Sequence, residues 1–146
     1  MSNFWHKSTA MKKLFLPLFL FFYTSSLFAQ QNKLSVVWDL SNADTAVQGA
    51  VFRQINNARV QKPELQIEVV FHGQAVLSLL KEDKSFEARV KAAKEKGVII
   101  AVCNNSLRRL KIDPAQLMPE TTVVPSAVVE LIVKQSEGWS YLKAGS

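Results

Sequence analysis

The segment Gly97-Val98-Ile99-Ile100-Ala101-Val102-Cys103-Asn104-Asn105-Ser106-Leu107-Arg108-Arg109 limits the fold more than any other. Five apolar residues run without interruption into the single cysteine of the chain. An unbroken Val/Ile run, bounded by Gly and Asn, predicts a strand covered on both faces, as in a parallel sheet. Cap-forming residues and two arginines follow at once, so the segment reads as buried strand, sharp turn and short helix. Cys103 then stands at the carboxyl end of the strand. In open α/β sheets that edge is where ligands and chemistry lie.

The rest of the chain supplies a scaffold of the same kind. Lys33 to Leu40 reads as a first strand, and Ser41 to Asp44 as a loop ending in a helix cap. The helix that follows covers Thr45 to Gln61, with Val47, Val51, Ile55 and Ala58 on one face. Lys62-Pro63-Glu64 stops it. Leu65, Ile67, Val69 and Phe71 alternate with Gln66 and Glu68, which predicts a half-covered second strand ending at His72-Gly73. Gln74 to Leu80 reads as a short apolar helix, Lys81 to Ser85 as a solvated charge run, and Phe86 to Lys96 as an amphipathic helix. Asp113-Pro114 opens another short helix. Thr121 to Val124 is a fourth strand. Pro125-Ser126 opens a last helix with Val128, Leu131, Ile132 and Gln135 on one stripe, and Trp139 to Leu142 is a terminal strand. Strand and helix alternate throughout, so the class is α/β with a mainly parallel sheet. Right-handed crossovers then bring Asp39, His72 and Cys103 to one sheet edge.

The amino-terminal residues follow other rules. Met11-Lys12-Lys13, an apolar stretch from Leu14 to Tyr23, and the small-residue exit Thr24-Ser25-Ser26-Leu27-Phe28-Ala29 have the layout of a secretory signal peptide. Residues 1–29 are assigned to that leader, with the ten residues before Met11 as an upstream extension, and residues 30–146 to one domain. The rival reading, a membrane anchor, meets an apolar run shorter than the ~20 residues needed to cross a bilayer. Pro17 also interrupts it. No cysteine follows the apolar stretch to accept a lipid. The expectation is a periplasmic or secreted protein with no stable membrane anchor after cleavage.

Charge tells the same story. The chain carries 18 Lys+Arg against 12 Asp+Glu, a formal +6. Lys7, Lys12 and Lys13 belong to the leader, which leaves 15 against 12, or +3, for the domain. No basic stripe interleaves with aromatics, so nucleic acid is not expected as a partner.

Which side chains carry chemistry follows from position. A thiol at a helix amino terminus faces partly positive amide groups, which favour the thiolate. Arg108 and Arg109 on the same helix add positive charge. In an oxidising compartment a single Cys103 forms no internal disulfide. It is a small buried hydrophobe, a thiol kept for chemistry, or half of an intermolecular disulfide. His72 either serves a neighbouring thiol as a base or is a loop histidine satisfied by backbone, and the latter reading is preferred. Asp39 reads as a cap or turn residue rather than an acid. Trp139 and Tyr141 read as core residues, with a partner subunit as the alternative. Asn104-Asn105-Ser106 matches a glycosylation acceptor, a pattern common by chance and discounted beside a turn. One cysteine and one domain histidine fall short of a metal site, and no glycine-rich phosphate loop is present, so neither metal nor cofactor is expected.

Val98 to Cys103 followed by Asn104-Asn105-Ser106-Leu107-Arg108-Arg109 resembles the C-x-x-x-L-R-R segment of DsrE/TusD-type sulfur-relay proteins. Val70-Phe71-His72-Gly73 is similar to the strand end of the DsrE/DsrF-like (YchN-like) branch. Pro125 to Leu131, with Glu137-Gly138-Trp139 and Tyr141, resembles that branch's closing helix and strand. The resemblance covers Lys33 to Lys143. It implies a three-layer α/β/α sandwich on a five-stranded, mainly parallel sheet (DsrEFH-like), assembled as trimers or hexamers. It also implies a sulfurtransferase-like carrier, in which Cys103 holds sulfane sulfur as a persulfide between donor and acceptor proteins, with His72 near by. The relay members are cytoplasmic, whereas this chain carries an export signal. The alternative is a non-catalytic oligomeric module that binds a small anion at the strand-end cleft through Asn104, Asn105, Arg108 and Arg109, with Cys103 as packing.

Overall fold

A computed structural model of the chain describes residues 33–145, so the leader assigned to residues 1–29 lies outside the described residues. The strands are β1 (Ser35–Leu40), β2 (Gln66–Phe71), β3 (Ile99–Cys103), β4 (Thr121–Val124) and β5 (Ser140–Lys143). All pair in parallel, in the spatial order β4-β3-β2-β1-β5. The helices are α1 (Thr45–Gln61), α2 (Glu87–Glu95), α3 (Asn104–Leu110) and α4 (Ala127–Ser136). From β1 to β4 the chain steps one way across the sheet, so right-handed connections keep α1, α2 and α3 on one face. The return from β4 to β5 reverses direction and lays α4 on the other face. This is the α/β class with a parallel sheet expected from the residues, in the three-layer α/β/α form that the family resemblance implies.

The two faces are covered unequally. On the first, Val36, Trp38, Leu40, Ile67, Val69 and Phe71 pack against α1, α2 and α3 through residues such as Phe52, Ile55, Val90 and Leu107. On the second, a smaller cluster joins Val37, Val70, Ala101 and Cys103 to Val124, Ala127 and Leu131. Among the described residues α4, ten residues long, is the only helix on that face, and apolar surface remains open around it.

Local signals set the element ends. Asp44 caps α1, its carboxylate accepting from the Ala46 N–H at 2.7 Å. Asp113 and Gln116 form a capping box around Pro114, which satisfies free amides of a short 3-10 turn. Gly97 takes φ +74° just after α2, a conformation costly for a residue with a Cβ.

Two expectations need correction. β2 is not half-covered: Glu68 is 1 % exposed, because Lys134 of α4 reaches over it. In α4 the inward residues are Ala127 and Leu131, whereas Val128 and Ile132 are 65 % and 59 % exposed. Ala127 can approach the sheet more closely than the bulkier valine. The short apolar helix expected after His72 is present as a 3-10 helix, Gly73–Leu79.

Candidate functional site

The carboxyl ends of β1, β2 and β3 gather the polar residues that the sequence singles out. Val37, Val70 and Ala101 face the α4 side of the sheet. Side chains alternate along a strand, so Asp39, His72 and Cys103, two residues further along, face that side too. Phe71 pairs with Val102, which sets His72 and Cys103 at the same level on neighbouring strands. Such strands run about 4.8 Å apart.

Cys103 ends β3 and is the residue from which α3 starts. Its residue surface is 4 % exposed. At the start of α4, Ser126 makes no side-chain cap, which leaves the first amides of that helix to find another acceptor. The Ala127 N–H finds it in Sγ of Cys103, at 3.3 Å. The thiol thus stands where a capping oxygen would stand. Burial pushes its pKa up, but the Ala127 N–H, the Ser106 hydroxyl and the N–H groups of Ser106 and Asn105 outweigh it and leave it below the ordinary 9.0. Ser106 is 6 % exposed, and its Oγ also accepts from the Gly73 N–H at 2.8 Å. One hydroxyl therefore ties the end of β2 to the cysteine turn. Gly73 takes φ +60°, and a side chain there would begin 3.3 Å from the Ser41 carbonyl oxygen. The turn that carries His72 past the sheet edge depends on that glycine.

His72 and Asp39 are partners. Nε2 of His72 lies 2.5 Å from Oδ1 of Asp39, and the hydroxyl of Tyr141 on β5 donates to Oδ2 at 2.7 Å. A carboxylate only accepts, so the neutral ring holds its proton on Nε2 and leaves Nδ1 as the unprotonated nitrogen. Tyr141's phenol is pushed up, first by its hydrogen bond to Asp39, then by burial and the carboxylate charge. Two readings change here. Asp39 is not a turn residue but the centre of a three-residue chain, and the ring of His72 is held by a side chain rather than by backbone. Tyr141 and Ser106 were not singled out for the site. The signal for Ser106 was its place three residues after Cys103, where the first turn of a helix brings it back toward the cap position.

The arginines divide. Arg108 turns back along its own helix and donates to Oδ1 of Asn105. Arg109 reaches toward Gly73, its Nη2 4.0 Å from the point where a side chain there would start. Asn104 is half-buried and Asn105 exposed. Among the described residues, no group of three or more His, Cys, Asp or Glu side chains is placed to hold a metal.

A five-stranded parallel α/β sandwich, with a lone thiol at the carboxyl edge of its third strand and at the amino end of its last helix, defines a narrow class. The profile of the DsrE/DsrF-like family matches residues 20–144, and the chain belongs to that family. Solved structures share the fold, among them the following three. A protein of unknown function from Methanobacterium thermoautotrophicum (MTH1491) is 25% identical, with a TM-score of 0.72 over 75% of this chain and 98% of its own. A conserved protein of unknown function from Bacteroides thetaiotaomicron (BT1422) is 13% identical, with a TM-score of 0.63 over 75% of this chain and 93% of its own. The ychN protein of E. coli is 16% identical, with a TM-score of 0.62 over 76% of this chain and 97% of its own. No curated protein sequence matches the chain.

Proposed function

We propose that this is an exported sulfur-handling protein whose Cys103 thiolate carries sulfane sulfur as a persulfide. The observation that carries the reading is the Ala127 N–H hydrogen bond to Sγ of Cys103, which lends the end of a ten-residue helix to the stabilisation of a sulfur anion. Membership of a family associated with sulfur relay supports the same chemistry. The thiolate attacks the outer sulfur of a donor persulfide. The donor S–S bond breaks, the donor leaves as its thiolate, and Cys103 holds the transferred sulfur. No oxidant is consumed. His72, oriented by Asp39, takes up the thiol proton on Nδ1.

Export and assembly belong to the same proposal. The leader directs the domain out of the cytoplasm, and donor and acceptor are proteins of the compartment it enters. The domain self-associates through α4, where Val128, Val129, Ile132 and Val133 form one apolar stripe, each at least 40 % exposed.

The test is intact mass after exposure to a polysulfide donor. The wild type gains one or more sulfur atoms, and Cys103→Ser gains none while keeping its circular dichroism spectrum. Equal loading of the two proteins refutes the carrier. A wild-type thiol silent to both polysulfide and alkylation selects the second reading, an anion-binding module centred on Arg109, which the 4 % exposure of Cys103 favours.

A further inference from the structure

A second site lies on the opposite face of the sheet, in the groove between α1 and α2. Its cavity measures about 360 Å³, within the range of small-molecule pockets. Phe52, Ile55 and Ala93 form an apolar floor, and the rim carries Arg53, Arg89 and Lys96. No acidic residue lines it. Among the described residues none of the three cations has a carboxylate within 4.0 Å. Lys96 donates to the neutral Oδ1 of Asn56 at 2.5 Å, and Arg89 lies over the ring of Phe86, 5.2 Å from its centroid. Both contacts fix the cations without neutralising them.

The two arginines converge over Gly49. A side chain at that position would begin 3.3 Å from Nη1 of Arg89 and 3.6 Å from Nη1 of Arg53. A glycine inside a helix costs roughly 0.5–1 kcal/mol relative to alanine. Here its bare backbone leaves room for two like charges to meet at one end of an apolar trough. Like charges held together without a counter-ion are unfavourable, and an anion placed between them relieves that repulsion.

We propose that this groove binds a small anionic amphiphile, with its apolar body on Phe52, Ile55 and Ala93 and its anionic head between Arg53 and Arg89. A neutral amphiphile forfeits the head contact, and an inorganic anion forfeits the floor, so the site selects molecules that have both parts. Nothing in it depends on Cys103, whose side chain lies on the other face.

The probe is decanoate, titrated below its micelle concentration into the full chain and followed by amide chemical shifts, with 1-decanol as the neutral control. Decanoate perturbs α1 and α2 and binds at least tenfold more tightly than decanol. The doubly substituted Arg53→Gln, Arg89→Gln protein loses that preference. Ala92→Phe, which fills the groove without touching its charges, abolishes binding of both ligands. Equal binding of decanoate and decanol overturns the proposal, as do unchanged affinity in the double variant and shifts confined to the exposed stripe of α4. Binding to anionic lipid vesicles without any binding of free decanoate also overturns it, in favour of a membrane-surface role.

Discussion

The Ala127 N–H, at the amino end of α4, donates to Sγ of Cys103, at the end of β3, with N to Sγ 3.3 Å. The contact joins the strand end of one crossover to the helix start of the next. Sulfur is a weak acceptor when protonated and a stronger one as thiolate, so this contact strengthens on ionisation.

Alkylation of Cys103 therefore rises with pH around a midpoint below 9.0. Ser106→Ala removes one donor and moves the midpoint up, slowing alkylation near neutral pH several-fold, as expected when the thiolate fraction falls. The sign for stability follows from the same shift. The folded pKa is depressed, so the unfolded chain binds more protons, and this group's stabilisation is present above the unfolded pKa and lost as pH falls through the folded one. Stopped-flow alkylation and a pH series of urea midpoints check both. A midpoint at or above 9.0 counts against the helix-end contact as the source of reactivity.

Tyr141 titrates above 10.0, and Asp39→Asn brings it back toward that value, because the hydrogen bond to the carboxylate is the first cause of its shift. Ultraviolet titration of the phenol reads this directly. Tyr141→Phe destabilises the fold by no more than about 1 kcal/mol, the usual net worth of one hydrogen bond, since the ring is 40 % exposed. If the proposed carrier function holds, it slows sulfur loading with little change in melting temperature, because the loss falls on the orientation of His72.

Lys134 holds the buried Glu68 at 3.1 Å and lies over the Trp139 ring, 4.6 Å from its centroid. Oε1 of Glu68 has no partner among the described residues. Burial pushes the Glu68 carboxyl above its usual 4.5, against the pull of Lys134. A raised carboxyl contributes stability that is full below the unfolded pKa and lost as pH rises through the folded one. Lys134→Met leaves that carboxyl alone and costs about 3 kcal/mol at pH 7, the low end for a broken buried pair. The deficit shrinks on acidification as Glu68 takes a proton. Glu68→Gln combined with Lys134→Met restores part of the loss, because the fully buried charge is gone, while Glu130, which also pairs with Lys134 at 3.7 Å, is left without it. Chemical denaturation at pH 7 and pH 4 measures all three. A Lys134→Met deficit that does not depend on pH contradicts the assignment.

Ile132→Asp and Val129→Glu place charge on the open stripe of α4. In the proposed assembly either change shifts sedimentation to the monomer without altering the circular dichroism spectrum. Surface substitutions of this kind change monomer stability by about 0.5 kcal/mol or less. A wild type that sediments as a monomer at all concentrations removes the assembly from the proposal.

Most of the scaffold was legible because it is written locally. The Val98–Val102 run, the Asp44 and Asp113 caps and Gly97 each act on their own neighbourhood, and the elements lie within a residue or two of where these signals put them. What was missed depends on residues far apart in the chain. Glu68 reads as solvent-facing from the alternation of β2, and only Lys134 arriving from α4 makes its burial tolerable. Asp39 reads as a turn residue until Tyr141, 102 positions later, is seen beside it on β5. The face of α4 could not be chosen from periodicity, because Ala127, Val128, Val129, Leu131, Ile132 and Val133 make it apolar nearly all round. The thiol itself was legible, but not the amide that addresses it, since that amide belongs to the following crossover.

The strand order also sets a timetable. Among the described strands β1 leaves the ribosome first, and its edge opposite β2 waits for β5, which leaves last. Until then β1 presents a row of unpaired backbone groups, the kind of edge that recruits foreign strands. Closing it is a long-range step, and such contacts form late and slowly. In the exported protein proposed above, which crosses a membrane before folding, this delay keeps the unfinished sheet from locking prematurely. The same β1–β5 pairing brings Tyr141 to Asp39, so the hydrogen-bonded chain behind His72 is completed only when the sheet closes, and a partly folded molecule holds its cysteine without it.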